Sequence, residues 1–374
     1  MFRKIIFLLL IFSVTIALIS CQSEDTASVN PVGDNGPDSG WNIPENQILS
    51  GGVSKDGIPS LFSPEIIPAT QADFIDDRDL IVGMVVDGKA RAYPQQILDW
   101  HEVVNEKFAS NNLLTVSYCP LTGTAIVLDG NNDGLNLTFG VSGLLYNNNL
   151  NMFDRQTESH WPQMRLQGDQ GTLRNTKQKI YPSIETSWGS WKKLFPNTVV
   201  LSTNTGHSRP YATSGSAYPG YTNLNSPPLF RNAVGFLDDR LPPKQRVHGV
   251  FFSGGPDNYK TKVYLITTSQ NSRVINDSID GNPILVIDSG EKNFVVSYSR
   301  NLNSQTLTFS MNGNVSDFPF IFKDNETSST WNVLGEAIDG PLAGMQLAKT
   351  KSFNAYWFAW GTFYPGAEIY QEND

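Results

Sequence analysis

Reactive side chains are scarce in this chain of 374 residues, which has two cysteines, four histidines and six methionines. Two cysteines are too few for a disulfide scaffold, and their spacing matches no zinc ribbon. Basic residues are also outnumbered, 27 Lys and Arg against 36 Asp and Glu, giving a net charge of −9 with no Lys/Arg-rich run. Phosphate binding needs a concentrated basic face, so a nucleic-acid partner is set aside. Charged residues make up only 17% of the chain against 39% hydrophobic. That balance excludes disorder and predicts one large or two ordinary globular domains.

The N-terminus is a targeting segment. Arg3 and Lys4 precede an apolar run from Ile5 to Ile19, closed by Leu18-Ile19-Ser20-Cys21. The run is too short to span a bilayer comfortably and reads as a secretory signal. Its ending resembles a bacterial lipoprotein signal, which implies that residues 1–20 are removed and that Cys21 carries the lipid. Membrane attachment is then through that lipid, at the cell envelope. Gln22 is not the Asp of an inner-membrane retention signal, which favours the outer membrane. Residues 21–44, rich in Ser, Asp, Gly, Asn and Pro, read as a flexible tether.

The body contains a near-repetition. Leu137-Thr138-Phe139 with Gly143 matches Leu307-Thr308-Phe309 with Gly313, and Asp154, Thr157, Ser159 and Trp161 match Asp324, Thr327, Ser329 and Trp331. Val103-Val104-Asn105-Glu106 corresponds to Val274-Ile275-Asn276-Asp277, and Trp191 with Phe195-Pro196 to Trp360 with Tyr364-Pro365. Matches in one order at a nearly constant offset indicate an internal duplication, with a first module over 45–201, an irregular crossover over 202–246 and a second, scaffold-like module over 247–370.

Local signals are mainly for strands. Ile81 to Val86 and Lys89 to Tyr93 flank Asp87-Gly88, a type I′ hairpin signal. Short β-branched and aromatic runs follow at Leu114–Tyr118, Ala125–Leu128, Leu135–Val141, Ile284–Ile287, Phe294–Tyr298 and Thr306–Met311. Helices are expected only at Pro94–His101, Ser187–Phe195 and Ala355–Phe363. The fold class is a β-rich α+β protein of two related modules, with short strands, hairpins and a few short aromatic helices.

Features kept in both copies belong to the scaffold, and features present once are candidates for chemistry. The repeated D-x-x-T-x-S-x-W string reads as structural, with Asp and Thr closing a turn and Trp filling the core. Only the first copy has Trp100-His101-Glu102 and Tyr118-Cys119-Pro120-Leu121-Thr122-Gly123-Thr124. The matching places of the second hold Ser272, Arg273 and Ser289. With Cys21 lipidated, Cys119 is the only thiol of the mature chain, and it sits in a strand-end loop. It is either an inert buried side chain or a functional one.

The blocks Tyr118 to Thr124, Trp100 to Asn105, Phe139 to Asn147 and Met152 to Trp161 resemble the signatures of a prokaryotic family known only as a domain of unknown function. The likeness continues through Asp238 to Pro243, Gly340 to Gly344 and Trp357 to Trp360, from about Asp76 to Tyr370. The resemblance implies membership and no activity. Some members carry a second Cys at the place of Thr122, so Thr122 argues against dithiol chemistry here.

Three functions follow as expectations. A soft metal, copper or else zinc, would be held by the Cys119 thiolate, the His101 imidazole and the Met152 thioether, with Glu102 steadying the imidazole. Alternatively, Cys119 is a nucleophile with His101 as base and Glu102 as orienter, Gly123 and Thr124 offering oxyanion donors. The third is a non-catalytic module whose aromatic surface holds a glycan, peptide or protein. Arg155 would bind an anion or pair with Glu158. His160, His207 and His248 carry no expectation.

Overall fold

The computed structural model describes residues 40–372, except 133, 212–216, 253–257, 268–270 and 312–317. The signal segment, Cys21 and most of the tether lie outside the described residues. The architecture is β-rich, with three short α-helices: α1 (Gln95–His101), α2 (Trp188–Leu194) and α3 (Trp357–Phe363). Among the described residues, no helix is long and apolar enough to cross a membrane.

Three sheet units occur in the same order in each half. The first is a hairpin, Leu80–Val86 with Lys89–Pro94, turned by Asp87 and Gly88 at φ 52° and 72°, the left-handed pair that a tight hairpin turn requires. Ile184–Ser187 flanks it antiparallel and leads directly into α2. Its counterpart is Arg246–Phe252 with Lys260–Leu265, flanked by Lys351–Tyr356, which leads into α3. The second unit is the meander Val103–Lys107, Leu113–Cys119, Thr124–Asp129, against Arg273–Ile279, Asn282–Ser289, Phe294–Ser299. The third is Phe139–Tyr146, Asn149–Asp154, His160–Pro162, against Phe309–Met311, Ile321–Asp324, Thr330–Asn332.

Side-chain bonds repeat as well. Asp154 Oδ1 accepts the Thr157 N–H at 2.6 Å and Oδ2 the Trp161 indole N–H at 2.9 Å; the same bonds at Asp324 measure 2.5 and 2.9 Å. Asn105 brackets Phe139 through both its amide atoms, as Asn276 brackets Phe309. The carboxylate closes the turn through backbone and hydroxyl donors, as the string suggests. It also fixes the orientation of the buried indole.

Each of these sheet units is built from one half, yet the cores are shared. Cys119, Ile126, Phe139, Met152 and Trp161 of the first half pack with Val247, Phe251, Phe353, Trp357 and Trp360 of the second. Reciprocally, Ile81, Ala92, Trp188 and Trp191 pack with Leu285, Phe294, Phe309, Phe322 and Trp331. Each hairpin unit also packs against its own half's meander on the opposite face. Strand alternation divides the side chains this way. Along Leu113–Cys119, Leu114, Val116 and Tyr118 face one core while Cys119 faces the other.

Candidate functional site

Helix α1 starts after Pro94, whose fixed φ suits the residue preceding the first turn. It ends where Glu102 adopts φ 57° and ψ −32°, a strained conformation for a side-chain-bearing residue. Glu102 is held there by two backbone bonds, its N–H to the Leu98 carbonyl and its carbonyl to the Tyr118 N–H, both at 2.7 Å. The chain thereby turns from helix into strand beside the Tyr118 to Thr124 loop.

His101 is fully buried, and it does not pair with Cys119 as expected. Its Nδ1 lies 2.7 Å from the Pro59 carbonyl and its Nε2 2.5 Å from the Tyr211 hydroxyl. A carbonyl only accepts, so Nδ1 carries the proton and Nε2 accepts from Tyr211. Burial, with the nearby His207 and Arg209 charges, pushes the imidazole down to about 4 despite the Pro59 bond. His207, for which the sequence offered no role, packs 5.3 Å away. The sequence adjacency of His101 and Glu102 was misleading because His101 closes a helix and the chain reverses at the next residue. In the second half the matching hydroxyls of Ser272 and Ser289 do meet, at 2.9 Å.

Cys119 is also buried. Its sulfur accepts the Leu150 N–H at 3.3 Å and lies 3.7 Å from the Asn148 carbonyl. Burial and the Glu102 charge push the thiol up to about 11, against the opposing pull of Thr122 and Leu150 donors. Glu102, expected to orient His101, instead comes into electrostatic reach of the sulfur. Burial, reinforced by Asp99, raises its carboxyl to about 8. Met152 is packed between Val141 and Trp161 in the same core as Cys119. Arg155 pairs with Asp56 at 2.5 and 3.0 Å and with the Ser60 hydroxyl, whereas Glu158 is taken by Lys55. Both Arg155 terminal nitrogens are therefore engaged, which corrects the expected Glu158 pair. Among the described residues, no group of three or more His, Cys, Asp and Glu could hold a metal ion.

The open space lies on the other face of the same loop. A cleft of about 370 Å³ is lined by Asp99, Tyr118, Gly123, Glu185, Lys244 and Tyr356, among others. It therefore joins α1, the Tyr118 to Thr124 loop, Lys244, and Tyr356 of the second half. The loop is pinned across this junction by the Tyr356 N–H to the Thr122 carbonyl at 2.8 Å. Gly123 is required there: its φ is 59°, and a Cβ would stand 2.8 Å from the Tyr356 ring. The Tyr221 hydroxyl donates to the Leu121 carbonyl at 2.9 Å.

Lys244 is the unusual member. It is 3% exposed, and its ammonium nitrogen has no hydrogen-bond partner among the described residues. The nitrogen stands 3.3 Å from the Tyr221 ring centroid, 4.5 Å from Phe358 and 5.0 Å from Tyr356. Burial pushes the amine down to about 7, with the neighbouring Cys119 pulling the other way. Glu185, a carboxylate that lines the cleft, is already paired with Arg246. Lys244 was missed from the sequence, although it directly follows Asp238 to Pro243.

Fold and cleft together define a β-rich α+β protein of two interlocked halves with a polar cleft at their junction. The chain belongs to the family described as Protein of unknown function (DUF3179), whose model matches residues 55–367. It has no significant match among curated proteins or among solved structures.

Proposed function

We propose that this is a small-molecule-binding protein of the cell envelope, anchored by a lipid on Cys21, whose ligand occupies the Lys244 cleft and presents a carboxylate or carbonyl group to that amine. The halves descend from one duplicated module, and the first has kept the cleft-forming loop. The observation that carries the reading is the Lys244 amine, buried beside an open cleft without an acceptor. Buried polar groups are almost always satisfied, and a perturbed ionisable group in a cleft is a functional candidate. Copper or zinc bound through Cys119, His101 and Met152 has less support, because both His101 nitrogens are engaged. A cysteine enzyme retains one supporting feature, the convergence of Thr122 and Leu150 donors on the sulfur, with Lys244 in place of His101 as the basic neighbour.

Thermal unfolding in the presence of acetate, pyruvate and succinate tests the proposal. At saturating ligand the expected gain is about 1–3 kcal/mol, a rise of roughly 2–6 °C for a chain of this size. The rise should be larger at pH 6 than at pH 9 and absent from Lys244→Met. Indifference of the wild type to all three would overturn it. Iodoacetamide labelling of Cys119 that requires Lys244 would redirect the reading to thiol chemistry.

A further inference from the structure

The geometry points to Lys244 as an imine-forming residue, an amine that condenses with the aldehyde or keto group of a small ligand held in the cleft. This rests on the cleft being the ligand site.

The contrast with Lys262 carries the argument. Lys262 is buried to a similar extent, and its ammonium is satisfied by Asp277 at 3.1 Å and by Glu368 at 3.3 Å. That is the ordinary arrangement for a lysine removed from water, since an unpaired buried charge is costly. Lys244 has rings on three sides and, among the described residues, no carboxylate partner. The same environment that penalises the ammonium leaves a free amine, and only the free amine attacks a carbonyl carbon. Lysines desolvated among apolar groups are activated in this way, and the downward shift to about 7 agrees with it.

The cleft supplies the rest. Its volume of about 370 Å³ suits a molecule of several heavy atoms, within the usual range of ligand pockets. The Tyr118 and Tyr356 phenols line it, and burial keeps both protonated at neutral pH; the Tyr118 hydroxyl donates to Gln95 at 3.4 Å, so Tyr356 is the phenol placed to donate a hydrogen bond to a carbonyl oxygen. In the condensation the Lys244 nitrogen forms a bond to the carbonyl carbon. The carbonyl oxygen leaves as water with the two amine hydrogens, and a C=N bond remains. When that imine is protonated, the Tyr221 and Tyr356 ring faces offset part of the cost of burying the cation. No oxidant, reductant or cofactor enters the balance.

The experiment is reductive trapping on the intact chain. Purified protein is incubated with pyruvate, glyceraldehyde or propanal, then with sodium borohydride, and adducts are located by peptide mass mapping. The expected result is one dominant adduct on Lys244 from at least one probe, its yield falling several-fold as the pH drops from 8 to 5. Lys244→Arg, which keeps the charge if Lys244→Met misfolds, should lose that adduct while exposed lysines react at their wild-type rate. Scattered modification of exposed lysines alone, with all three probes and a folded protein, would overturn the inference. If carboxylates still raise the unfolding temperature through Lys244, binding survives and imine chemistry falls; if they do not, both fall.

Discussion

Glu102 and Lys244 are buried ionisable groups that titrate in opposite senses. Burial raises the Glu102 carboxyl from 4.5 to about 8, so between those values the folded chain binds a proton that the unfolded chain has released. Its contribution is therefore fully present below the unfolded value and is lost as pH climbs through about 8. Lys244 is lowered from 10.5 to about 7. The unfolded chain holds that proton more tightly, so the penalty is full below about 7 and disappears by 10.5. Two outcomes are expected from denaturant titrations. Glu102→Gln should gain on the wild type by on the order of a few kcal/mol as pH passes from 5 to 9. Lys244→Met should show its largest advantage below pH 7 and little above pH 10. Parallel profiles for all three proteins would show that neither group is held as described. The Cys119 thiol and its loop could be read from the sequence at this scale because a cysteine is chemically conspicuous. His101 and Lys244 could not, since their states are set by Pro59, Tyr211, Tyr221 and Phe358, which lie far along the chain.

Elements were more legible than their contacts. Pro94, the aromatic stretches and Asp87-Gly88 act locally, so the three helices and the first hairpin fall where propensity places them. Leu135–Val141 did not form one strand, because the chain pairs briefly at Leu135–Asn136 and then crosses to a new sheet at Phe139. The D-x-x-T-x-S-x-W turn offers a quantitative check. Burial alone would raise the Asp324 carboxyl, but donors from Trp331, Thr327 and Ser329 outweigh it and hold it below its usual value. Removing the carboxylate leaves an indole N–H and a backbone N–H without acceptors. Hydrogen bonds to a charged group contribute about 1.5–3 kcal/mol each. Asp324→Ala should therefore cost about 3 kcal/mol or more in chemical denaturation at pH 7. Asp154→Ala should cost about as much, because its carboxylate accepts the matching bonds from Thr157 and Trp161 and one more from the Gln156 N–H. A marked inequality would mean that one turn carries a duty beyond closing its strand pair.

Across the whole molecule, the reciprocal cores decide how the chain comes apart. A burial pattern shows that a strand face is covered, but not by which sheet, and this is why the β-rich class was legible and the mixing of the two halves in each core was not. Trp360 belongs to the second half, yet its core contains Cys119, Met152 and Trp161 of the first. Trp191 is placed conversely, among Phe309, Phe322 and Trp331. Neither half can lose its packing without exposing apolar surface of the other, so independent unfolding would forfeit both mixed cores at once. Calorimetry should give one transition, its measured enthalpy equal to the van't Hoff value, the usual signature of all-or-none behaviour. Trp360→Ala should destabilise this single transition by about 3–5 kcal/mol, as large aromatic truncations in cores do, and shift first-half and second-half probes together. A variant in which the first half melts at its wild-type temperature while the second is already unfolded would contradict the interlocked arrangement. It would also remove the wall that Tyr356 gives the cleft, so ligand binding and global stability should fail together in any second-half core variant that unfolds.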